Sequence, residues 1–337
     1  MKANIALRVD ANRSVGLGHL GRMQAIAFQL DALGYEYKYL CNLDSYQTFL
    51  SRGIDAQHVV IVNNESLPSG YTHWLGDICY SGNTVSVNRF VSQVLATPNW
   101  LGLIDSMPPD HFTFASDLVR RPPNLLVTPY YQACELRSEP AVCTWKAGAQ
   151  YAIFSQDYIA LRRNLQPPEE LRILVTCGGS DPTDLSLRIA RALKNTRLPV
   201  TIVVGLLYSA YIKKELKKLA RQNPLIELSP PLMGLASEVH RASHVIGRVG
   251  LIRYETAVLG RYGLFLSEVS EYRDYLQNFN ESRASEIYFA LDSGGEKCFL
   301  DRVREIGQSN NKPTLNEAGL AISDGKGSLR ILKQLNL

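Results

Sequence analysis

Ile5-Ala6-Leu7-Arg8-Val9-Asp10-Ala11-Asn12-Arg13-Ser14-Val15-Gly16-Leu17-Gly18-His19-Leu20-Gly21-Arg22 is the stretch whose reading decides the fold class. It opens on an apolar run, a buried-strand signal at 5–9, and continues through a glycine-containing loop. Beyond it Leu20, Met23, Ile26, Ala27 and Leu30 recur at helical spacing, which predicts a helix over about 19–33 with Gly34 as its stop. Strand, glycine loop and helix in that order begin a doubly wound unit. Further strands are predicted at 37–40, 59–62, 101–104, 125–127 and 152–154, enough for one open sheet. Gln166-Pro167-Pro168-Glu169-Glu170 reads as a linker, because paired prolines continue neither a helix nor a central strand. The pattern then restarts with a strand at 171–176, a loop, a helix at 185–193, a strand at 200–204 and a helix around 213–220. The expectation is an α/β protein of two doubly wound domains, 1–165 and 171–337, facing a cleft.

Composition agrees. At 337 residues the chain is more than twice the ~150 of an ordinary domain, and 45% hydrophobic with 20% charged residues is a globular balance. Thirty-six basic against 32 acidic residues leave a net charge of +4, too diffuse to announce a nucleic-acid partner. Lys213, Lys214, Lys217 and Lys218 read as the solvated side of a helix whose apolar face is Ile212, Leu216 and Leu219. The cysteines, Cys41, Cys79, Cys134, Cys143, Cys177 and Cys298, form no C-x-x-C pair, which fits reduced thiols in the cytoplasm and disfavours structural zinc. His240 and His244 lack the glutamate of an H-E-x-x-H pattern. No apolar stretch approaches the ~20 residues of a membrane span. The chain is expected to be cytoplasmic, with no metal, no cofactor, no nucleic acid and no membrane span.

Three loops could carry chemistry. Gly16, Gly18 and Gly21 satisfy G-x-G-x-x-G, but the first glycine comes about six residues after the strand rather than directly after it. The second strand also ends on Asn42 and Asp44 rather than on a clear ribose-binding acid. A second reading uses His19 at the helix start with Asp10 and Arg8 at the strand end. A helix N-terminus disfavours the imidazolium and keeps the ring available as a general base. Alternatively His19 caps the helix while Asp10 pairs with Arg22. The second loop, Gly178-Gly179-Ser180-Asp181-Pro182, could line an anion site, or be a turn with Asp181 as N-cap and Pro182 at the first helical position. The third, Ile246-Gly247-Arg248-Val249-Gly250-Leu251-Ile252-Arg253-Tyr254-Glu255, offers arginines for phosphate and Glu255 for ribose hydroxyls, or a surface helix with an internal Arg-Glu pair.

Taken in order, these loops resemble the hydrolases of the pseudaminic-acid pathway that act on a UDP-linked diacetamido-trideoxyhexose (PseG), together with spore-coat polysaccharide proteins of the SpsG type. The resemblance is carried by Arg8-x-Asp10 with Gly16-x-Gly18-His19-x-x-Arg22, by Tyr158-Ile159-Ala160-Leu161-Arg162, by Gly178 to Pro182, and by Ile246-Gly247 through Glu255 to Leu259-Gly260. It runs over roughly residues 4 to 280. It implies two Rossmann-like domains of the glycosyltransferase-B type and a metal-independent hydrolysis in nonulosonic-acid or related surface-glycan synthesis. His19 would activate water and Asp10 would orient the sugar or the imidazole. Arg8, Gly16, Gly18, Arg22, Asp77 and Asp105 would line the sugar site, and Gly178, Gly179, Ser180, Arg248, Gly250, Glu255 and Glu271 the UDP site. The only implied partners are the nucleotide-sugar substrate and other enzymes of the same pathway. The chain departs from the family at Val249-Gly250-Leu251-Ile252, where two hydroxyl donors and a glycine are replaced, and at Glu271-Tyr272-Arg273. A glycosyltransferase of the same fold and a non-catalytic binder of sugar or partner enzyme are the alternatives.

Overall fold

The computed structural model describes residues 3–12, 15–63, 66–78, 84–104 (84–86 as backbone), 122–136, 144–232, 234–270 and 273–335. Among these residues the chain forms two parallel sheets in two compact units.

Unit 1 comprises Met1–Gln156 with Gly325–Leu337. Its strands are β1 (Asn4–Val9), β2 (Glu36–Cys41), β3 (Val59–Ile61), β4 (His73–Asp77), β5 (Trp100–Ile104), β6 (Leu125–Thr128) and β7 (Thr144–Ala147), arranged β3-β2-β1-β4-β5-β6-β7. Between them run α1 (Gly18–Ala32), α2 (Leu43–Ser51), α3 (Thr84–Leu95) and α4 (Ala133–Leu136), and α5 (Gln156–Arg162), which follows the sheet, belongs after its first residue to unit 2. Every residue of β1 after Asn4 is buried, as a central parallel strand requires. Leu20, Met23, Ile26 and Leu30 of α1 join the apolar cluster beneath it. Gly34, at φ +72°, closes α1 with a Schellman pair, its own N–H to Asp31 O and that of Tyr35 to Leu30 O, both 3.0 Å.

Unit 2 is Asp157–Asp324. Its sheet, β10-β9-β8-β11-β12-β13, is built from β8 (Ile173–Thr176), β9 (Val200–Val203), β10 (Ile226–Ser229), β11 (His244–Arg248), β12 (Tyr262–Ser267) and β13 (Ser285–Phe289). The helices are α6 (Leu185–Ala192), α7 (Ala210–Gln222), α8 (Ala236–Arg241), α9 (Ile252–Val258), α10 (Arg273–Glu281), α11 (Gly295–Gly307) and α12 (Glu317–Leu320). The last helix, α13 (Gly327–Leu332), belongs to unit 1, where Ile331, Leu332 and Leu335 enter the same cluster as α1.

Three sequence expectations differ from this architecture. The apolar run 152–154 is buried but is not a strand; it follows a 3-10 turn, Ala149–Tyr151, and leads into α5. Arg330 of α13 anchors that turn by donating to Gln150 O at 2.9 Å. The sheet is completed instead by β4 and β7, short strands whose glycine, aspartate, lysine and alanine content hides them. The paired prolines lie inside unit 2, where buried Arg261 donates to Gln166 O at 3.0 Å. The break between units falls earlier, at Gln156, and the final helix crosses back.

Candidate active site

Strand order reverses between β1 and β4 in the first sheet and between β8 and β11 in the second. Ligands of doubly wound sheets bind beyond the carboxyl ends of the strands at such points. The loops singled out from the sequence follow β1, β8 and β11, so all three stand at a switch point.

In unit 1, parallel pairing sets Val9 beside Asp77 at the strand ends. The loop after β1 turns through Gly16, which holds φ +83° and donates to Asn12 O at 2.8 Å, and the exposed Gly18 opens α1. His19 and Arg22 are one helical turn apart and so face the same way. Both meet Asp77. His19 Nδ1 lies 2.7 Å from Oδ1, while Arg22 donates through Nε to Oδ2 at 2.6 Å and through Nη2 to Oδ1 at 2.8 Å. Asp77 is fully buried and the His19 side chain is 13% exposed. Burial pushes the Asp77 carboxyl up, but the charges and hydrogen bonds of Arg22 and His19 outweigh it and hold the group below its ordinary value.

This geometry selects one tautomer. Arg22 Nη2 also approaches His19 Nδ1, at 3.0 Å, but a guanidinium nitrogen only donates, so an acceptor Nδ1 would turn a lone pair toward the carboxylate as well. The shorter carboxylate contact decides: Nδ1 carries the proton and donates to Asp77, an assignment made from the hydrogen-bond network. Nε2 is then the basic nitrogen.

Asp10 is placed elsewhere. It takes both Nη atoms of Arg8, at 2.7 and 2.8 Å, and the backbone and side-chain nitrogens of Asn42, at 2.8 and 3.1 Å. Arg8 Nη2 also donates to Asn42 Oδ1 at 2.9 Å. Arg8 is 0% and Asp10 3% exposed. The Arg8-x-Asp10 pattern thus ties the end of β1 to the start of α2. The imidazole's carboxylate is Asp77 rather than Asp10, and Arg22 pairs with Asp77 rather than with Asp10. Asp105 and Glu271 lie outside the described residues.

In unit 2, Gly178 is exposed with φ +79°, and Gly179 and Ser180 are half-buried. Buried Asp181 accepts from Leu185 N and Ser186 N, each at 3.0 Å, and from Ser186 Oγ at 2.5 Å. It therefore caps α6 from ahead of the first turn, and Pro182 is not the first helical residue because the helix begins at Leu185. Cys177 is buried, and burial drives its thiol well above the ordinary range.

Arg248, at the end of β11, is already paired: its Nη2 lies 2.6 Å from Glu268 Oε2. Thr183 Oγ1 donates to the same oxygen at 2.8 Å, and Arg188 holds the other carboxylate oxygen at 2.6 Å. Gly250 precedes α9, and Arg253 folds back to donate to Gly250 O at 2.7 Å with its guanidinium over the Tyr254 ring. Arg273 grips Asp292 with both Nη atoms at 2.8 Å. Glu255 faces buried Tyr158, whose hydroxyl is driven up by burial and by that carboxylate. Arg162, from the same Tyr158-to-Arg162 motif, donates to Val258 O at 2.6 Å and Leu320 O at 2.9 Å, satisfying carbonyls at the ends of α9 and α12. Glu268 and Thr183 escaped the sequence reading. Glu268 directly follows β12, so recognising that strand would have exposed it as an acid at a carboxyl end.

Among the described residues no group of three His, Cys, Asp or Glu side chains could hold a metal, and no helix is long and apolar enough to cross a membrane.

No family model and no curated protein sequence matches the chain. Solved structures do. The crystal structure of MurG from Acinetobacter baumannii is 13% identical, with TM-score 0.60 and 99% of each chain covered. UDP-GlcNAc 2-epimerase from Neisseria meningitidis, bound to UDP-GlcNAc, is 12% identical, with TM-score 0.60 and 99% of each chain covered. HepE from Anabaena, in complex with UDP, is 13% identical, with TM-score 0.57 and 100% of each chain covered. The fold is therefore the two-domain α/β arrangement of the glycosyltransferase-B type.

Proposed function

We propose that the chain is a nucleotide-sugar hydrolase that releases UDP from a UDP-linked diacetamido-trideoxyhexose in the synthesis of a pseudaminic-type or related surface sugar. The observation that carries this reading is the Asp77 to His19 Nδ1 contact, which leaves Nε2 basic at a switch-point loop. Nε2 takes a proton from water as the water oxygen bonds to the anomeric carbon. The bond from that carbon to the diphosphate oxygen breaks, and its electron pair leaves on UDP. Asp77 stabilises the imidazolium that forms, and Arg22 holds Asp77 ionised. Gly16 and Gly18 give the sugar close access to backbone, while Arg8 and Asp10 hold the loop instead of touching substrate.

UDP recognition is assigned to unit 2, chiefly to backbone amides of Gly178, Gly179 and Ser180, with Gly250, Glu255 and Glu271 as further contacts, while Asp105 is assigned to the sugar. Arg248 would serve the diphosphate only by leaving Glu268. Solved structures of the same fold that hold UDP or UDP-GlcNAc support a uridine nucleotide as the leaving group.

A second reading is favoured by another neighbour of this fold, the glycosyltransferase VinC in complex with dTDP: the same base would deprotonate an acceptor hydroxyl. Incubation with a panel of UDP-sugars, with and without sugar acceptors, separates the two. UDP release without acceptor that disappears in His19→Ala supports hydrolysis. Release only with acceptor supports transfer, and nucleotide-sugar binding without any release overturns both.

A further inference from the structure

Unit 2 contains a cavity of about 440 Å³ at the amino ends of β11, β12 and β13, the opposite end of that sheet from the loops after β8 and β11. Its floor is His244, Tyr262 and Ser285, and the segment between α11 and α12 crosses it with Lys312 and Thr314. The volume falls within the ~300–1,000 Å³ of small-molecule pockets.

Three observations define what would fit. Ser285 is 5% exposed and lines the cavity, yet its Oγ has no hydrogen-bond partner. A buried hydroxyl without a partner carries a cost that an incoming polar group removes. The cations outnumber the acids: Arg302 is paired with Glu286 at 2.8 Å, whereas the side chains of Arg283 and Lys312 meet no carboxylate among the described residues. The site also has an aromatic wall, because His244 stacks on Tyr262 with ring centroids 5.8 Å apart, and Tyr262 is 40% exposed. Burial and Arg302 hold His244 neutral, its pKa pushed down to about 4, so the wall adds no charge of its own.

We propose that this cavity is a second ligand site, separate from the His19 loop, that takes a small phosphorylated sugar or polyol. Arg283 and Lys312 meet the phosphate, Ser285 Oγ meets a ligand hydroxyl, and the Tyr262 ring covers the apolar face of the carbon skeleton. Nothing in this assignment depends on which reaction His19 performs.

The test is calorimetric titration of the full chain with glucose 1-phosphate, glucose 6-phosphate, glycerol 3-phosphate, inorganic phosphate and glucose. At least one phosphorylated sugar or polyol binds saturably, and about tenfold or more tighter than inorganic phosphate or glucose. The R283A/K312A double variant, which alters exposed side chains and should fold normally, weakens that binding about 100-fold, and S285A about tenfold. Failure of all three organic phosphates to bind overturns the proposal, as does binding unchanged in R283A/K312A. Equal affinity for inorganic phosphate overturns the sugar or polyol assignment.

Discussion

His19 Nδ1 and Asp77 Oδ1 lie 2.7 Å apart although 58 residues separate them in the chain. The contact exists because β1 and β4 are parallel neighbours, so the loop leaving one and the last residue of the other share an edge. Arg22 completes the group from the next turn of the same helix. The arrangement couples one ring to a carboxylate that is buried, ionised and held on three sides by donors.

Removing the proposed base tests the chemistry directly. His19→Ala should lower acceptor-independent UDP release by about 10²- to 10⁴-fold, the usual contribution of a positioned general base. Circular dichroism should remain that of the parent protein, since the ring is partly exposed and lies outside the apolar core.

Asp77→Asn should lower turnover by about 10²-fold or more by weakening control of the ring tautomer. It should also destabilise the fold by about 3–5 kcal/mol, because the Arg22 guanidinium stays buried without its counter-charge. The acid behaviour has a definite sign. The Asp77 carboxyl is held below its unfolded value, so its stabilisation is complete above about pH 4 and is lost as the pH falls through the folded value. Acid unfolding followed by tryptophan fluorescence should therefore fall away more steeply for the parent protein than for Asp77→Asn.

Asp10→Ala should cost about 3–5 kcal/mol, read as a lower urea midpoint, because it strands the fully buried Arg8. The double variant Arg8→Met/Asp10→Leu should recover much of that loss. In the folded fraction of either variant the KM for the nucleotide sugar should match the parent value. A raised KM at full stability would instead place Asp10 on the substrate.

Glu268→Gln should tighten UDP binding by about tenfold, since it releases Arg248 and Arg188 from a shared carboxylate at the end of β12. Arg248→Gln in the same background should cancel the gain. Calorimetry on the purified variants reads both effects.

The α/β class, the two sheets and the position of α1 were legible because buried parallel strands are written as apolar runs and α1 as a helical stripe. Leu20, Met23, Ile26 and Leu30 announce their helix, and Gly34 ends it where expected. His19 stood out because a histidine beside glycines at a strand-to-helix turn is chemically specific. β4 did not stand out: it is short and carries His73, Gly76 and Asp77, so its strand character comes from pairing with β1 and β5 on either side. The apolar run 152–154 misled for the converse reason, since burial without a pairing neighbour makes no strand. The return of α13 to unit 1 was equally hidden, because Ile331, Leu332 and Leu335 would suit any apolar surface.

By itself the sequence determined the chemistry on offer: an imidazole at a helix start, guanidinium groups near strand ends, and carboxylates in plenty. Tertiary structure alone decided which charge meets which. Asp10, two residues from Arg8, is consumed by it, whereas Asp77, distant in sequence, reaches the imidazole. Likewise Arg248 and Arg273, candidates for a diphosphate, are balanced by Glu268 and Asp292. Ion pairing depends on distances of a few ångströms, and in a parallel sheet those distances are set by strand order and register, which no local stretch of sequence encodes.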